Sequence, residues 1–344
     1  MTEFIEPRAA RQAQPATRAL TQAAVVAGRA PSIFNSQPWR WRIADDVAEL
    51  RADRQRQLPT VDPDGRLLTV SCGAALHHAC VALATVGFAA EVARLPDEGD
   101  PDLLARMQVV GVREPERAML RLRWAMARRH TDRRPFAEVD VPPPALHQLC
   151  EAAETQGAHL RPLGPDEVER LAVATARAGR TEFADPRYRA ELSAWTGRPH
   201  GTRNGIEPAT AAHHEPRPVP MRNLDPGGVP DTTTHDLVDR HTCYAILSTD
   251  TDTPADWLAA GEALSAVLLT ATAEGAAASP ISDVIEVPAT RQTLRDLLSG
   301  AGYPMVALRL GVPGDSPLAA AARRAPADVI DIADAQGRPR AGPG

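Results

Sequence analysis

The sequence predicts an α+β protein made of two tandem halves. Three observations carry this. Short alternating segments such as Trp39-Arg40-Trp41-Arg42-Ile43 read as half-buried strands rather than helices. Trp257 to Ala273 is apolar on nearly every side, which marks a helix buried all round. Gly73 to Gly87 and Gly261 to Gly275 share small residues and equal glycine spacing, so each half holds one helix that another helix can approach closely.

Thr17 to Ala27 is rich in Ala, Val and Leu and reads as a helix ended by Gly28. Ala30 to Trp39 follows as a loop. Pro31 and Pro38 fix φ there and remove two N–H donors, while Ser32, Asn35 and Gln37 offer hydroxyl and amide groups at close spacing. Such groups donate and accept together, which suits the polar edge of a flavin ring; singly, they also fit an ordinary polar turn. Asp45-Asp46 turns the first strand into a second from Val47 to Ala52, and Asp62-Pro63-Asp64-Gly65 is a further turn. A helix begins at Ser71 and carries Leu76, Cys80 and Leu83 at helical spacing. Strands near Ala89 to Leu95 and Met107 to Val112 complete the first half. A helix from Glu114-Pro115 through Met126 then delivers the chain to Arg128-Arg129-His130-Thr131-Asp132-Arg133-Arg134.

In the second half, helices are expected from Ala145 to Thr155, Val168 to Ala178, Arg187 to Trp195, Trp257 to Ala273 and Thr290 to Leu298. Strands are expected from His241 to Ser248 and from Pro304 to Leu310. Thr196 to Asp231 is long, rich in Pro and Gly and without periodicity, which predicts a lid, a binding loop or disorder.

Composition narrows the class. A chain of 344 residues with 43% hydrophobic and 4% aromatic content holds one large or two ordinary domains whose cores are filled by Ala, Leu and Val. All 38 basic residues are arginine, yet the net charge is −6, so a nucleic-acid footprint is not expected. Cys72, Cys80, Cys150 and Cys243 are scattered, with no Cys-x-x-Cys pair. His77-His78 and His213-His214 lack a third residue spaced as a metal ligand, so no metal is expected. There is no run of 18 apolar residues, no G-x-G-x-x-G turn and no P-loop. A soluble, cytoplasmic protein without a membrane partner is the expectation, with a disordered tail over 336–344.

Two motifs carry a resemblance. Ala30-Pro31-Ser32-Ile33-Phe34-Asn35-Ser36-Gln37-Pro38-Trp39 resembles the A-P-S-x-x-N-x-Q-P-W segment of the FMN-binding nitroreductase superfamily. Arg129-His130-Thr131-Asp132-Arg133 resembles that family's phosphate-binding opening, R-[RH]-[ST]-x-[RK]. In ordinary members the opening precedes the A-P-S segment; here the order is inverted. The resemblance, to the Acg-like subgroup, implies a nitroreductase-like fold in which two tandem units form an intrachain pseudo-dimer around long buried helices. The halves would span 1–115 and 116–335, with the lid at 196–231. It further implies one FMN per chain: the ring loop in the first half and the phosphate segment in the second complete a single site, and no mirror pair is present.

On this resemblance Pro31, Ser32, Asn35 and Gln37 would hold the ring. Arg129, His130, Thr131 and Arg133 would hold the phosphate, joined by Arg323 and Arg324, which resemble the family's basic pair near the C-terminus. Pro280, Ile281 and Ser282 resemble the segment lying against the ring near N5, although Ser282-Asp283 stands where typical members carry Glu-Gly. Without the partner loop the arginine run would read as a solvated surface. The implied activity is transfer of a hydride from NAD(P)H through FMN to an electron-poor small molecule, by a monomer acting as a pseudo-dimer. The cofactor performs that chemistry, so no side chain is assigned as catalytic. Two other readings stay open: an FMN-sequestering or storage protein whose lid closes over the ring, and an interaction protein that binds no flavin.

Overall fold

The computed structural model describes residues 8–196, 202–206, 217–225, 239–314 and 321–333. Helix and strand are mixed, and two sheets flank a central pair of crossed helices. The first sheet contains β1 (Trp39–Ala44), β2 (Val47–Ala52), β3 (Phe88–Arg94), β4 (Leu103–Val112) and β9 (Ile330–Ile332), in the order β3-β4-β2-β1-β9. Trp39, Trp41 and Ile43 face the core while Arg40 and Arg42 are exposed, so the alternation in the sequence became the two faces of β1. The second sheet is antiparallel throughout. Its order is β5 (His159–Pro162), β6 (Cys243–Thr249), β8 (Tyr303–Gly311) and β7 (Ala277–Ile281).

The helices are α1 (Arg8–Ala27), α2 (Arg66–Thr85), α3 (Arg117–Arg128), α4 (Pro143–Glu154), α5 (Pro165–Ala184), α6 (Pro186–Thr196), α7 (Pro254–Ala273), α8 (Asp283–Glu286) and α9 (Pro288–Leu297). Five of these open on proline, which lacks the N–H that a first helical turn leaves unsatisfied. The sequence placed the start of α2 at Ser71, five residues late. The Asp62 carboxylate accepts the backbone N–H groups of Leu67 (3.0 Å) and Leu68 (2.8 Å), so the Asp62–Gly65 turn opens straight into the helix. Replacing Asp62 by alanine removes both acceptors. It is expected to cost about 1–2 kcal/mol, read as a lower urea midpoint at unchanged slope.

The crossed pair is α2 and α7. They meet where Gly73 faces Gly261: a Cβ on Gly73 would lie 2.1 Å from the Leu258 carbonyl oxygen, and one on Gly261 would lie 2.1 Å from that of Val70. Only glycine permits this approach. Both helices also end alike, on Gly87 and Gly275, with φ of +87° and +78°. The equal spacing noted in the sequence is thus the distance from crossing point to helix end, in both helices. Arg94 of β3 forks onto Glu262 of α7 at 2.6 and 2.8 Å, joining the first sheet to the central pair. Among the described residues α2 alone has the length and hydropathy of a membrane span, and it is buried in the protein between α1 and α7.

Three strands had no counterpart in the sequence reading: β5, β7 and β9. Each is short, and β7 carries Pro280, tolerated because β7 is a sheet edge. β9 lies parallel to β1, with Trp41 opposite Ile330. The end of the chain therefore returns to the first sheet. Of the 196–231 segment, 202–206 and 217–225 are described. His213-His214 and the 336–344 tail lie outside the described residues.

Candidate functional site

A cavity of about 540 Å³ lies where the Ala30–Trp39 loop, the ends of α1 and α3, the start of α2 and the 280–283 and 321–326 segments meet. Twelve of the thirteen residues singled out in the sequence line it: Pro31, Ser32, Asn35, Arg129, His130, Thr131, Arg133, Pro280, Ile281, Ser282, Arg323 and Arg324. Gln37 stands behind the wall, 1% exposed.

The loop is strained. Phe34, Asn35 and Gln37 have φ of +46°, +51° and +50°, a region that costs a side-chain-bearing residue free energy. Local bonds hold it: Ser32 Oγ accepts the Gln37 N–H (2.9 Å), and Ser71 Oγ on α2 accepts the Ile33 N–H (3.1 Å). The side chains of Asn35 and Gln37 are committed to other chain segments rather than offered to the cavity. Asn35 Nδ2 donates to the carbonyls of Gly205 and Ala322 (both 3.0 Å), and its Oδ1 accepts from Arg323 (2.9 Å). Gln37 Nε2 donates to Arg203 O (3.0 Å), and its Oε1 accepts the Arg324 N–H (2.8 Å). The two amides thus splice 202–206 and 321–324 onto the loop.

The arginine segment enters from the end of α3. Asp132 N–H donates to Ala278 O on β7 (3.1 Å). Arg309 of β8, wholly buried, donates to the carbonyls of Asp132 (3.1 Å) and Arg134 (2.7 Å) while its other N–H groups hold Asp239 (2.9 and 2.6 Å). This pair sets the path of residues 129–133. It was missed in the sequence, although a charge between Leu308 and Leu310 in an otherwise apolar strand was its signal. His130 Nδ1 donates to Arg128 O (2.6 Å), which leaves Nε2 as an acceptor.

Electrostatically the cavity wall is in part cationic. Burial and the nearby Arg323 push the Arg129 guanidinium down to about 9; burial pushes Arg133 and Arg323 down to about 10. All three remain charged at neutral pH. Arg129 is 7% exposed, and its Nε and Nη1 have no hydrogen-bond partner among the described residues; Arg323 Nε has none either. Buried, unsatisfied guanidinium N–H groups are costly in isolation, and an anion between Arg129 and Arg323 relieves that cost. Arg324 lines the cavity but directs its guanidinium to Gln37 O (3.1 Å), Asp53 (3.4 Å) and Asp328 O (2.8 Å), a bracing role.

The lining also includes Arg222, Asp283 and Phe34, none of which the motifs identified as contacts; Arg222 lies close enough to Arg133 for their charges to interact. The Arg222 guanidinium sits 5.0 Å over the Phe34 ring and pairs with Glu286. Val25, Leu67, Val70 and Leu264 supply apolar wall. His77 and His78 both meet Ser265 Oγ at 2.8 Å across the α2–α7 crossing, away from the cavity wall. A cavity lined by apolar side chains and buried guanidinium groups suits a ligand with an apolar body and an anionic group.

Relatives in sequence bear on this site. The chain is 39% identical over 290 residues to "Putative NAD(P)H nitroreductase Rv3131" of Mycobacterium tuberculosis (strain H37Rv), covering 83% of each chain. It is 32% identical over 298 residues to "Putative NAD(P)H nitroreductase acg" of the same organism, covering 86% of this chain and 89% of that one. It therefore belongs to the nitroreductase family, in its Acg-like group. No family model matches it. A solved nitroreductase with bound FMN from Bacteroides fragilis overlays 58% of this chain and 91% of its own, at TM-score 0.36 and 15% identity. The FMN-dependent nitroreductase NfnB from Mycobacterium smegmatis, in complex with NADPH, overlays 58% and 90% at TM-score 0.35 and 17% identity.

Proposed function

We propose that this chain binds one FMN and acts as an NAD(P)H-dependent oxidoreductase of nitroreductase type on an electron-poor small molecule. The observation that carries the reading is Arg129: a buried guanidinium with two N–H groups that have no partner among the described residues, near enough to Arg323 to feel its charge, in the cavity that the Pro31–Asn35 loop also lines. When bound, FMN supplies the redox chemistry by accepting a hydride from NAD(P)H and passing it on.

The protein residues bind and orient. Arg129, Arg133 and Arg323 take the phosphate, each charge-assisted bond contributing about 1.5–3 kcal/mol. Thr131 adds a hydroxyl. Asn35 and Gln37 keep the strained loop in register, so that Pro31, Ser32 and the facing Pro280-Ile281-Ser282 segment present a fixed wall to the ring. The apolar residues of α2 and α7 exclude water from it. The two halves act as one intrachain pseudo-dimer about the Gly73–Gly261 crossing, and the site draws on both.

The test is the spectrum of the purified protein. Flavin absorbance that bleaches on anaerobic addition of NADPH is the expected result; colourless protein with no thermal shift on added FMN overturns it. The storage reading is favoured by one observation: Gly205, Ile206, Met221, Arg222 and Leu224, all from the 196–231 segment, line the cavity. Bound FMN that NADPH cannot bleach, and that becomes reducible when the segment is deleted, is the result expected of a closed lid.

A further inference from the structure

Beside the cavity lies a buried acidic group that the ligand-binding reading leaves unused. Glu182 of α5, Asp283 and Glu286 of α8 surround the guanidinium of Arg222. Arg222 pairs with Glu286, stands 3.8 Å from Glu182, and reaches Tyr188 Oη at 3.4 Å and Ser282 Oγ at 3.5 Å. All three carboxyls are at least nine-tenths buried by side-chain exposure. Neither oxygen of Glu182 has a hydrogen-bond donor among the described residues, and Glu286 Oε2 has none.

Glu182 and Glu286 stand at the same Arg222 nitrogen, Nη2, and two carboxylates so placed offer acceptors only, so they cannot bond to each other. One proton between them makes one a donor and the other an acceptor. The charge count points the same way: three carboxyls face one guanidinium in a desolvated pocket, and like charges so placed do not all ionise. Burial, with Glu286 and Asp283 beside it, holds the Glu182 carboxyl well above the usual range. Burial likewise lifts Asp283 to about 6. Other charged groups face the set: Tyr188 on α6, Asp62 and Glu191 toward Glu286, and Arg133 toward Arg222.

A route leads out of this set. A second cavity of about 10 Å³, room for a single water, is bounded by Glu182, Arg222 and Asp283. Asp283 also lines the large cavity. We propose that Glu182 and Glu286 share one proton, and that Asp283, relayed by a water from Glu182, delivers it to the acceptor in the large cavity.

This rests on the oxidoreductase reading. A two-electron reduction by NAD(P)H brings the acceptor a hydride but no proton. In the delivery step the Asp283 O–H bond breaks and the acceptor, anionic after hydride addition, gains that hydrogen. The Glu182 proton then moves across the water to Asp283, and solvent restores Glu182.

The shared proton is tested on ligand-free protein by infrared difference spectroscopy of wild type minus Glu182→Gln at pH 7. A protonated-carboxyl band in the wild type that Glu182→Gln lacks is expected; no difference in that region overturns the shared proton. Thermal midpoints against pH give a second readout. A carboxyl raised in the fold stabilises it below the unfolded value and loses that stability as pH rises through the folded value. Wild type is therefore expected to lose stability between about pH 4 and 6 relative to Asp283→Asn, and parallel curves speak against a proton held at Asp283.

Delivery is tested on FMN-loaded protein reduced with NADPH. Reoxidation by a benzoquinone, which takes up protons, is compared with reoxidation by ferricyanide, which takes up none. Asp283→Asn is expected to lower the quinone-to-ferricyanide rate ratio at least tenfold, and Glu182→Gln to lower it less while shifting its pH profile. A ratio equal to wild type in both variants overturns delivery. Protein that takes up no FMN overturns the oxidoreductase reading and delivery with it, while the infrared band still decides the shared proton by itself.

Discussion

Alanine in place of Gly73 is expected to destabilise the protein by about 3 kcal/mol or more, among the largest effects available to one methyl group. The new Cβ would sit 2.1 Å from Leu258 O and 3.0 Å from the Gly261 Cα, and both obstacles are backbone that cannot rotate away. Relief requires α2 and α7 to separate. Gly261→Ala meets the mirror-image obstacle, Val70 O at 2.1 Å, so it is expected to cost a similar amount. The double variant should cost clearly less than the sum, because one separation accommodates both methyls. Chemical denaturation of the four proteins measures this directly. Leu67, Val70, Ser71 and Leu264 line the cavity from these two helices, so FMN affinity should fall along with stability. Independent, additive effects with unchanged affinity would separate the helix crossing from the site.

Exchanging Arg129 for methionine is expected to move two properties in opposite directions. Methionine keeps an unbranched stem of similar reach and removes the charge. Loss of two charge-assisted bonds corresponds to about 3–6 kcal/mol, or roughly 10²–10⁴ in FMN affinity. Ligand-free protein, in contrast, should become more stable at neutral pH. The guanidinium is held down to about 9 by burial and by Arg323, so it is a net burden until an anion arrives. Titration of flavin fluorescence reads the first effect, and the melting temperature of ligand-free protein reads the second. If the variant is less stable without ligand and binds FMN as wild type does, Arg129 is a structural residue and the anion lies elsewhere.

The same contrast, between residues whose chemistry is readable and partners that are not, runs through the comparison of sequence with structure. The A-P-S loop and the R-H-T-D-R segment were legible because each is a short contiguous string with its own conformational demands. The folded chain brings both to one cavity. What contiguous strings could not show was which polar atoms the protein uses itself. Asn35 and Gln37 look like ligand contacts on paper, yet their amides tie down 202–206 and 321–324, hundreds of residues apart in part. Arg324 looks like its neighbour Arg323, yet Asp53 and nearby carbonyls occupy it. Arg309 shows locally only as a charge in an apolar strand, and Asp239 and Arg222 carry no local signal, since the partners of all three lie on distant elements.

By itself the sequence determined the mixed α+β class, the two central helices with matched glycines, most long elements, and a set of residues of which all but Gln37 line one cavity. Those features rest on periodicity, turn chemistry and spacing, which are local. Only the tertiary structure decided that α2 begins at Arg66, that β9 returns to pair with β1, which arginines have N–H groups without a partner among the described residues, and that Glu182, Asp283 and Glu286 crowd one guanidinium. Burial and pairing are properties of neighbours brought together by folding, and they fix whether a charged side chain is a brace, a binding group or a proton store.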